Sequence, residues 1–229
     1  MRRAGGAVAA LLGLLLLSSC AVTPPVLGGR PGDPTIPRAA GLFSDPEVEA
    51  LLIRNDPESE AVASTLAGYR ESLLATIPDV DPVSCRDSIA PLVLFARDAT
   101  AEGTVFEAPP LFRDAPGADL LVAQVARRFP SPDEAAAFLA ALRAARAGCP
   151  AYDSADGQHA EREVVDGDLA VDAVGVAIER TSAGETTSSF EWVLVHGNVA
   201  IALEAELLDD DDRAVLDALA EEYAARLTE

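Results

Sequence analysis

Lysine is absent from this 229-residue chain: all 17 of its basic residues are arginine, set against 38 acids for a formal charge of −21. So acidic a surface repels phosphate backbones, which argues against nucleic acid as a partner. It argues equally against lying flat on anionic lipid through a basic face. Histidine occurs twice, cysteine three times and tryptophan once. No nucleophile elbow, phosphate loop or histidine-based zinc motif can be read. Without a catalytic constellation at recognisable spacing, no enzyme activity, cofactor or metal is expected. Apolar residues, by contrast, make up 49% of the chain, enough for one sizeable core.

The first twenty residues carry the plainest signal. Met1-Arg2-Arg3 is a basic start, Ala4 to Leu17 holds no charge, and Leu17-Ser18-Ser19-Cys20 follows. Basic, apolar and small residues in that order make a secretory signal. A membrane-spanning helix needs about 20 apolar residues, and this run is shorter. The cysteine directly after the small pair resembles the bacterial lipobox, in which the thiol is diacylglycerated and the chain is cut before it. The resemblance implies a signal peptide over 1–19 and a lipid attachment at Cys20. The chain then sits on the outer side of the cell membrane through a diacylglyceryl (palmitate-type) anchor, two acyl chains being what stable anchoring requires. Cleavage removes Arg2 and Arg3 and no acid, which moves the charge from −21 to −23. Residues 20–41 hold Pro24, Pro25, Pro31, Pro34 and Pro37 and read as a semi-rigid tether.

Two segments follow, an N-terminal helical segment over 42–77 and an α+β domain over 78–229. Ser44-Asp45-Pro46-Glu47 opens a first helix with cap, proline and acids in order. Val62, Leu66, Tyr69, Leu73 and Leu74 fall at three- and four-residue steps, which predicts a second helix over 57–75. The two form a helical hairpin before the domain. Strands are predicted at Leu92–Arg97, at Thr104–Phe112 with Pro109-Pro110 at an edge or turn, and at Leu120–Ala126, which reads as buried on both faces. Ser131-Pro132-Asp133-Glu134 caps a helix that runs through Phe138, Leu139, Leu142 and Arg146 and stops at Gly148. Glu163–Val165, Leu169–Arg180 and Ser188–Val195 follow as strands, and Gly197-Asn198 joins the last to Val199–Leu203 as a hairpin. Asp209 to Asp212 precede a closing helix with Val215, Leu216, Leu219, Tyr223 and Leu227 on its apolar side. The fold class is α+β: a twisted antiparallel sheet with flanking helices.

With Cys20 assigned to the anchor, Cys85 and Cys149 remain as an even pair in an oxidising compartment, which predicts a disulfide; two buried thiols are the alternative. His159 reads as a solvated strand end and His196 as a turn residue. The four aspartates lack the alternating spacing and distant glutamate of a calcium loop and read as a helix cap. Glu161 and Glu163 are the kind of acid pair so acidic a chain contains by chance. Trp192 lies on a half-buried strand, where it either packs the core or lines a ligand cleft.

Val122-Ala123-Gln124-Val125-Ala126-Arg127-Arg128-Phe129, Ser131-Pro132-Asp133-Glu134-Ala135, a helix ending at Cys149, and Gly197-Asn198-Val199-Ala200-Ile201 together resemble the extracellular sensor domains of mycobacterial Ser/Thr kinases of the PknH type, and the actinobacterial lipoproteins that share the domain. The likeness spans roughly Pro78 to Leu227 and implies a sheet-and-helix cleft for an unidentified ligand. Two departures stand out. The kinase domain holds two disulfides, and its tryptophan shortly before the helix-terminal cysteine is replaced here by Ala144-Ala145-Arg146-Ala147-Gly148. Two readings follow: a sensor-like domain that binds a small apolar or cationic ligand, or a module that recruits another envelope protein. A deep apolar pocket beside Trp192 would favour the first, and a filled interior with an exposed apolar patch the second.

Overall fold

Antiparallel pairing organises almost everything that follows. The computed structural model describes residues 41–56, 58–74, 77, 79–89, 102–114 and 119–229; Cys20, the tether and the expected strand Leu92–Arg97 lie outside them. Nine strands form one sheet: β1 Val62–Thr65, β2 Val80–Asp81, β3 Thr104–Asp114, β4 Asp119–Arg128, β5 Ala151–Ser154, β6 His159–Asp166, β7 Asp172–Ser182, β8 Glu185–His196 and β9 Val199–Leu207. Their order is β1-β3-β4-β9-β8-β7-β6-β5-β2. The helices are α1 Asp45–Leu51, α2 Leu66–Leu74, α3 Pro132–Ala147 and α4 Asp210–Thr228, with a 3-10 helix at Val83–Ser88. The α+β class with an antiparallel sheet and flanking helices is as expected.

The N-terminal segment departs from expectation. α1 forms as its cap signals predict, with Glu47 accepting the Ser44 backbone N–H at 2.7 Å. The predicted helix over 57–75, however, is a strand followed by a helix, so no helical hairpin precedes the domain. Val62 to Thr65 pair with Glu107 to Thr104 on β3. Residues branched at Cβ at both ends of this stretch favour the extended form, and β3 supplies the backbone partners that a strand needs. Phe43, Val48 and Leu51 enter the main core, and Arg128 on β4 bonds Asp45 of α1.

Both sheet edges are short. β1 stops at Glu107 of its partner, and Pro109-Pro110 follow at once, where the β3–β4 register shifts between Ala108 and Leu111. Proline there removes donors from an otherwise open edge, a protection against unwanted strand addition. Between β8 and β9, Gly197 at φ +55° makes a two-residue turn. A Cβ at Gly197 would lie 2.0 Å from the Gly41 carbonyl oxygen, so only glycine lets the incoming chain cross this turn. Asn198 then fastens it: the side chain accepts the Phe43 N–H at 2.7 Å and donates to the Phe43 and Phe129 carbonyls, both at 3.1 Å.

Strand alternation divides the sheet into two faces. On the first, Phe190, Trp192 and Leu194 of β8 with Ile201, Leu203 and Ala205 of β9 lie under α1 and α4, whose Leu216, Leu219, Tyr223 and Leu227 are buried against them. Burial of each such side chain contributes about 1.5–3 kcal/mol. On the second face, Val193, Val195 and Ala200 lie under Phe138, Leu139 and Leu142 of α3. α3 carries the expected cap, with Ser131 Oγ accepting the Glu134 N–H at 3.3 Å.

Cys149, one residue past the helix stop at Gly148, is bonded to Cys85 of the 3-10 helix, 64 residues earlier. The chain-entropy model gives a loop of that length about 4 kcal/mol of stabilisation. Reduction of the purified protein is expected to lower its melting temperature by roughly 8–15 °C. A calorimetric scan with and without reductant checks this, and identical transitions would show that the bond adds nothing.

Candidate functional site

α3 leaves one corner of its face uncovered. Where the helix ends, the sheet continues, and a groove of about 550 Å³ opens over β7, β8, β9 and β4. Its floor is made by Ser189 and Thr187 of β8, Glu204 and Glu206 of β9, Ala123 and Leu121 of β4, with Arg180 of β7 at one side. Pro110, Leu208 and Asp212 complete the walls. The expectation that Leu120–Ala126 is buried on both faces is therefore corrected. Leu120 and Val122 are buried, whereas Leu121 is 50% exposed and Ala123 is exposed too, because among the described residues no helix covers that end of β4. Its cross-strand partner Phe112 is 61% exposed and Leu208 is 75% exposed, which makes an apolar rim.

Charge in the groove is one-sided. Arg180 donates to Ser189 Oγ at 2.7 Å and lies 3.6 Å from Glu204, so its guanidinium is already engaged. Asp212 is turned inward, accepting the Leu208 N–H at 2.7 Å. Glu206 is exposed and has no partner among the described residues.

Beside this floor, on the same face of the sheet and under the end of α3, lies a buried ion pair. Arg146, at the last apolar position of α3, donates to Glu191 at 2.7 Å with side-chain exposures of 0% and 5%. Glu191 sits directly opposite Glu204 on β9. Burial pushes its carboxyl up to about 7; Arg146 and Arg162 pull the other way, while Glu204 adds to the rise. Arg162 is itself lowered, first by burial and then by Arg146. The groove is thus bounded on its α3 side by a buried pair.

Trp192, the candidate cleft residue, lies elsewhere. It is 4% exposed on the opposite face, its Nε1–H donating to Asp217 of α4 at 2.7 Å and its ring edge-on to Phe190 at 5.2 Å. Arg213 covers the Phe190 ring at 3.3 Å. A Cβ at Gly175 would come within 2.9 Å of the indole and 2.6 Å of Phe190, so the interior here is filled. Trp192 packs the core and faces away from the groove, because its strand position has the opposite parity to Ser189 and Glu191.

The remaining candidates resolve as local structure. His159 opens β6, exposed, with Nδ1 at 2.7 Å from Asp153, and that hydrogen bond is the first cause of its raised pKa. His196 ends β8, edge-on to Phe43. Asp209 caps α4 by accepting the N–H groups of Asp211 and Asp212 at 3.0 and 3.1 Å. Glu161 and Glu163 lie on the exposed side of β6. The sequence reading missed Glu191, although an acid inside Phe190-Glu191-Trp192-Val193 is itself a signal of a buried partner.

The buried carboxyl makes stability depend on pH. Unfolded, Glu191 ionises near its ordinary value of 4.5, and folded near 7. Between those values the folded chain holds a proton that the unfolded chain has released. This group's contribution is therefore fully present below about pH 4.5 and is lost as pH rises through about 7. Urea unfolding at pH 5 and pH 8 is expected to show a smaller difference for Glu191→Gln than for the parent; an unchanged difference would assign the dependence elsewhere.

No family model matches the sequence, and no curated protein matches it. Among solved structures, the chain is similar to the extracellular domain of PknH from Mycobacterium tuberculosis, at 14% identity and a TM-score of 0.49, over 81% of this chain and 95% of that one. It is also similar to an uncharacterized protein, the Rv0999 ortholog, from Mycobacterium smegmatis, at 14% identity and a TM-score of 0.45, over 80% and 96%.

Proposed function

We propose that this chain is a lipid-anchored, extracytoplasmic, sensor-like domain that binds a small ligand and performs no chemistry on it. The anchor is a diacylglyceryl group on Cys20. The leader, basic at Arg2-Arg3, apolar to Leu17 and closed by Ser18-Ser19 before Cys20, supports export, as does the Cys85–Cys149 bond, a feature of oxidising compartments. One observation carries the binding reading: the groove over β7, β8, β9 and β4, whose volume of about 550 Å³ falls within the ~300–1,000 Å³ typical of small-molecule sites. Its lining offers both apolar and charged side chains to a guest.

A second reading is favoured by a specific observation. The interior beside Trp192 is filled while Phe112, Leu121 and Leu208 stand exposed, the pattern of a surface that recruits another protein. The groove has the volume of a small-molecule site, which is why the small-ligand reading comes first.

Native mass spectrometry of the protein extracted from its own membranes tests both halves. The polypeptide is expected to begin at Cys20 with a diacylglyceryl mass, and to carry a small molecule that Ala123→Trp, which fills the groove, removes. A chain that begins at Met1 would end the anchored reading. An unliganded mass for the parent protein would end the small-ligand reading in favour of the recruiting surface.

A further inference from the structure

We propose that the guest of this groove is a cationic amphiphile: a small molecule with an apolar body and one ammonium or guanidinium head. The proposal rests on the ligand-binding reading above and names its chemical class. The apolar half of the argument is the rim. Leu121, Phe112 and Leu208 present half or more of their surface to water beside a floor that includes Ala123. An aliphatic or aromatic body laid there removes apolar area from water on both partners.

The charged half comes from who is already engaged. Arg180, the sole basic residue of the lining, donates to Ser189 and stands 3.6 Å from Glu204, one positive charge among the acids Glu204, Glu206 and Asp212. Glu206 has its carboxylate exposed with no partner among the described residues, and Glu204 is held by Arg180 only at 3.6 Å. These two acids project from alternate positions of one strand, on the same face, next to the apolar rim. Beside them stands Glu191, directly opposite Glu204 and paired with Arg146. A cation set between Glu204 and Glu206 meets complementary charge at close range. At longer range the excess of 38 acids over 17 arginines draws cations in and turns anions away.

Titration calorimetry on the mature chain, residues 20–229 with Cys20→Ser so that neither acyl chain nor detergent competes, tests the class. All described contacts lie at or beyond Gly41, so this change leaves the described fold its residues. Three probes of equal chain length, each below its micelle concentration, are compared: decylammonium, decyl sulfate and decanol. Decylammonium is expected to bind roughly tenfold tighter than either of the others. Glu206→Gln and Leu121→Ser, both at exposed positions, are each expected to weaken it roughly threefold to fivefold without moving the melting temperature. Added salt weakens the ammonium and leaves decanol unchanged. Equal binding of all three, or tighter binding of the sulfate, overturns the cationic class and leaves the groove as a ligand site. Decylammonium binding that neither substitution alters places the contact elsewhere and overturns the proposal. Should no probe bind while the native protein carries a small molecule lost in Ala123→Trp, the class is wrong and the ligand-binding reading stands.

Discussion

The pairing of Arg146 with Glu191 fixes where α3 can lie, and the position of α3 decides what the sheet leaves bare. A guanidinium at the last apolar position of a helix, with a side-chain exposure of 0%, must find its partners inside, here Glu191 at 2.7 Å and the Val174 carbonyl at 3.5 Å. Taking two charges from water costs several kcal/mol each, and removing one partner of such a pair costs about 3–5 kcal/mol more than keeping both. The helix therefore cannot slide along the sheet without stranding a charge. Two residues beyond Ala147 the Cys149–Cys85 bond fixes the same end a second time. Cover thins past Glu191: Ser189 is still buried, and Thr187 and Glu206 on that face open to solvent.

The other face has no such boundary. α1 and α4 cover it, and the polar atoms that fall inside are matched to one another. Tyr223 donates to the Gln124 side chain and accepts the Ile53 N–H at 2.9 Å, while Gln124 donates to the Ile53 and Pro109 carbonyls at 2.7 and 3.0 Å. This network ties α4, β4, the tail of α1 and the register shift of β3 into one unit. Buried polar groups with every partner present specify one arrangement where apolar packing alone would tolerate several. The interior of this face is filled around Trp192, whereas α3 roofs the other side only in part.

Local signals were legible wherever a few neighbouring residues determine the outcome. Ser44 with Glu47, Ser131 with Glu134 and Gly197-Asn198 each act within four residues, and each stands where the sequence places it. Val62 to Leu74 misled because apolar residues three and four apart suit a helix, while the strand at Val62–Thr65 exists only because the distant edge of β3 is free to pair. The four-residue β5 was missed for the same reason: Ala151 to Ser154 carry little pattern of their own and are held by β6 and β2. The face on which Trp192 points could not be read either. β8 is buried on both sides over Phe190 to Val195, so alternation in polarity, the usual guide to parity, is erased.

The same erasure hid the groove. Leu120 to Ala126 is apolar at every position but Gln124, and apolar runs signal strands covered on both faces. That inference assumes the cover extends as far as the strand. Here β4 outruns α3, so Leu121 and Ala123 stay open although nothing in their own identity says so. The acids that mark the groove were equally inconspicuous, since Glu204 and Glu206 are two among 38. What distinguishes them is alternation on β9: Glu204 and Glu206 face the bare corner, while Leu203 and Ala205 face the core. An exposed acid beside an exposed leucine on the next strand, on a face whose covering helix has ended, is a statement about the length of one helix relative to the sheet beneath it. It becomes visible only when Arg146 and Glu191, 45 residues apart in the chain, are seen to set that length together.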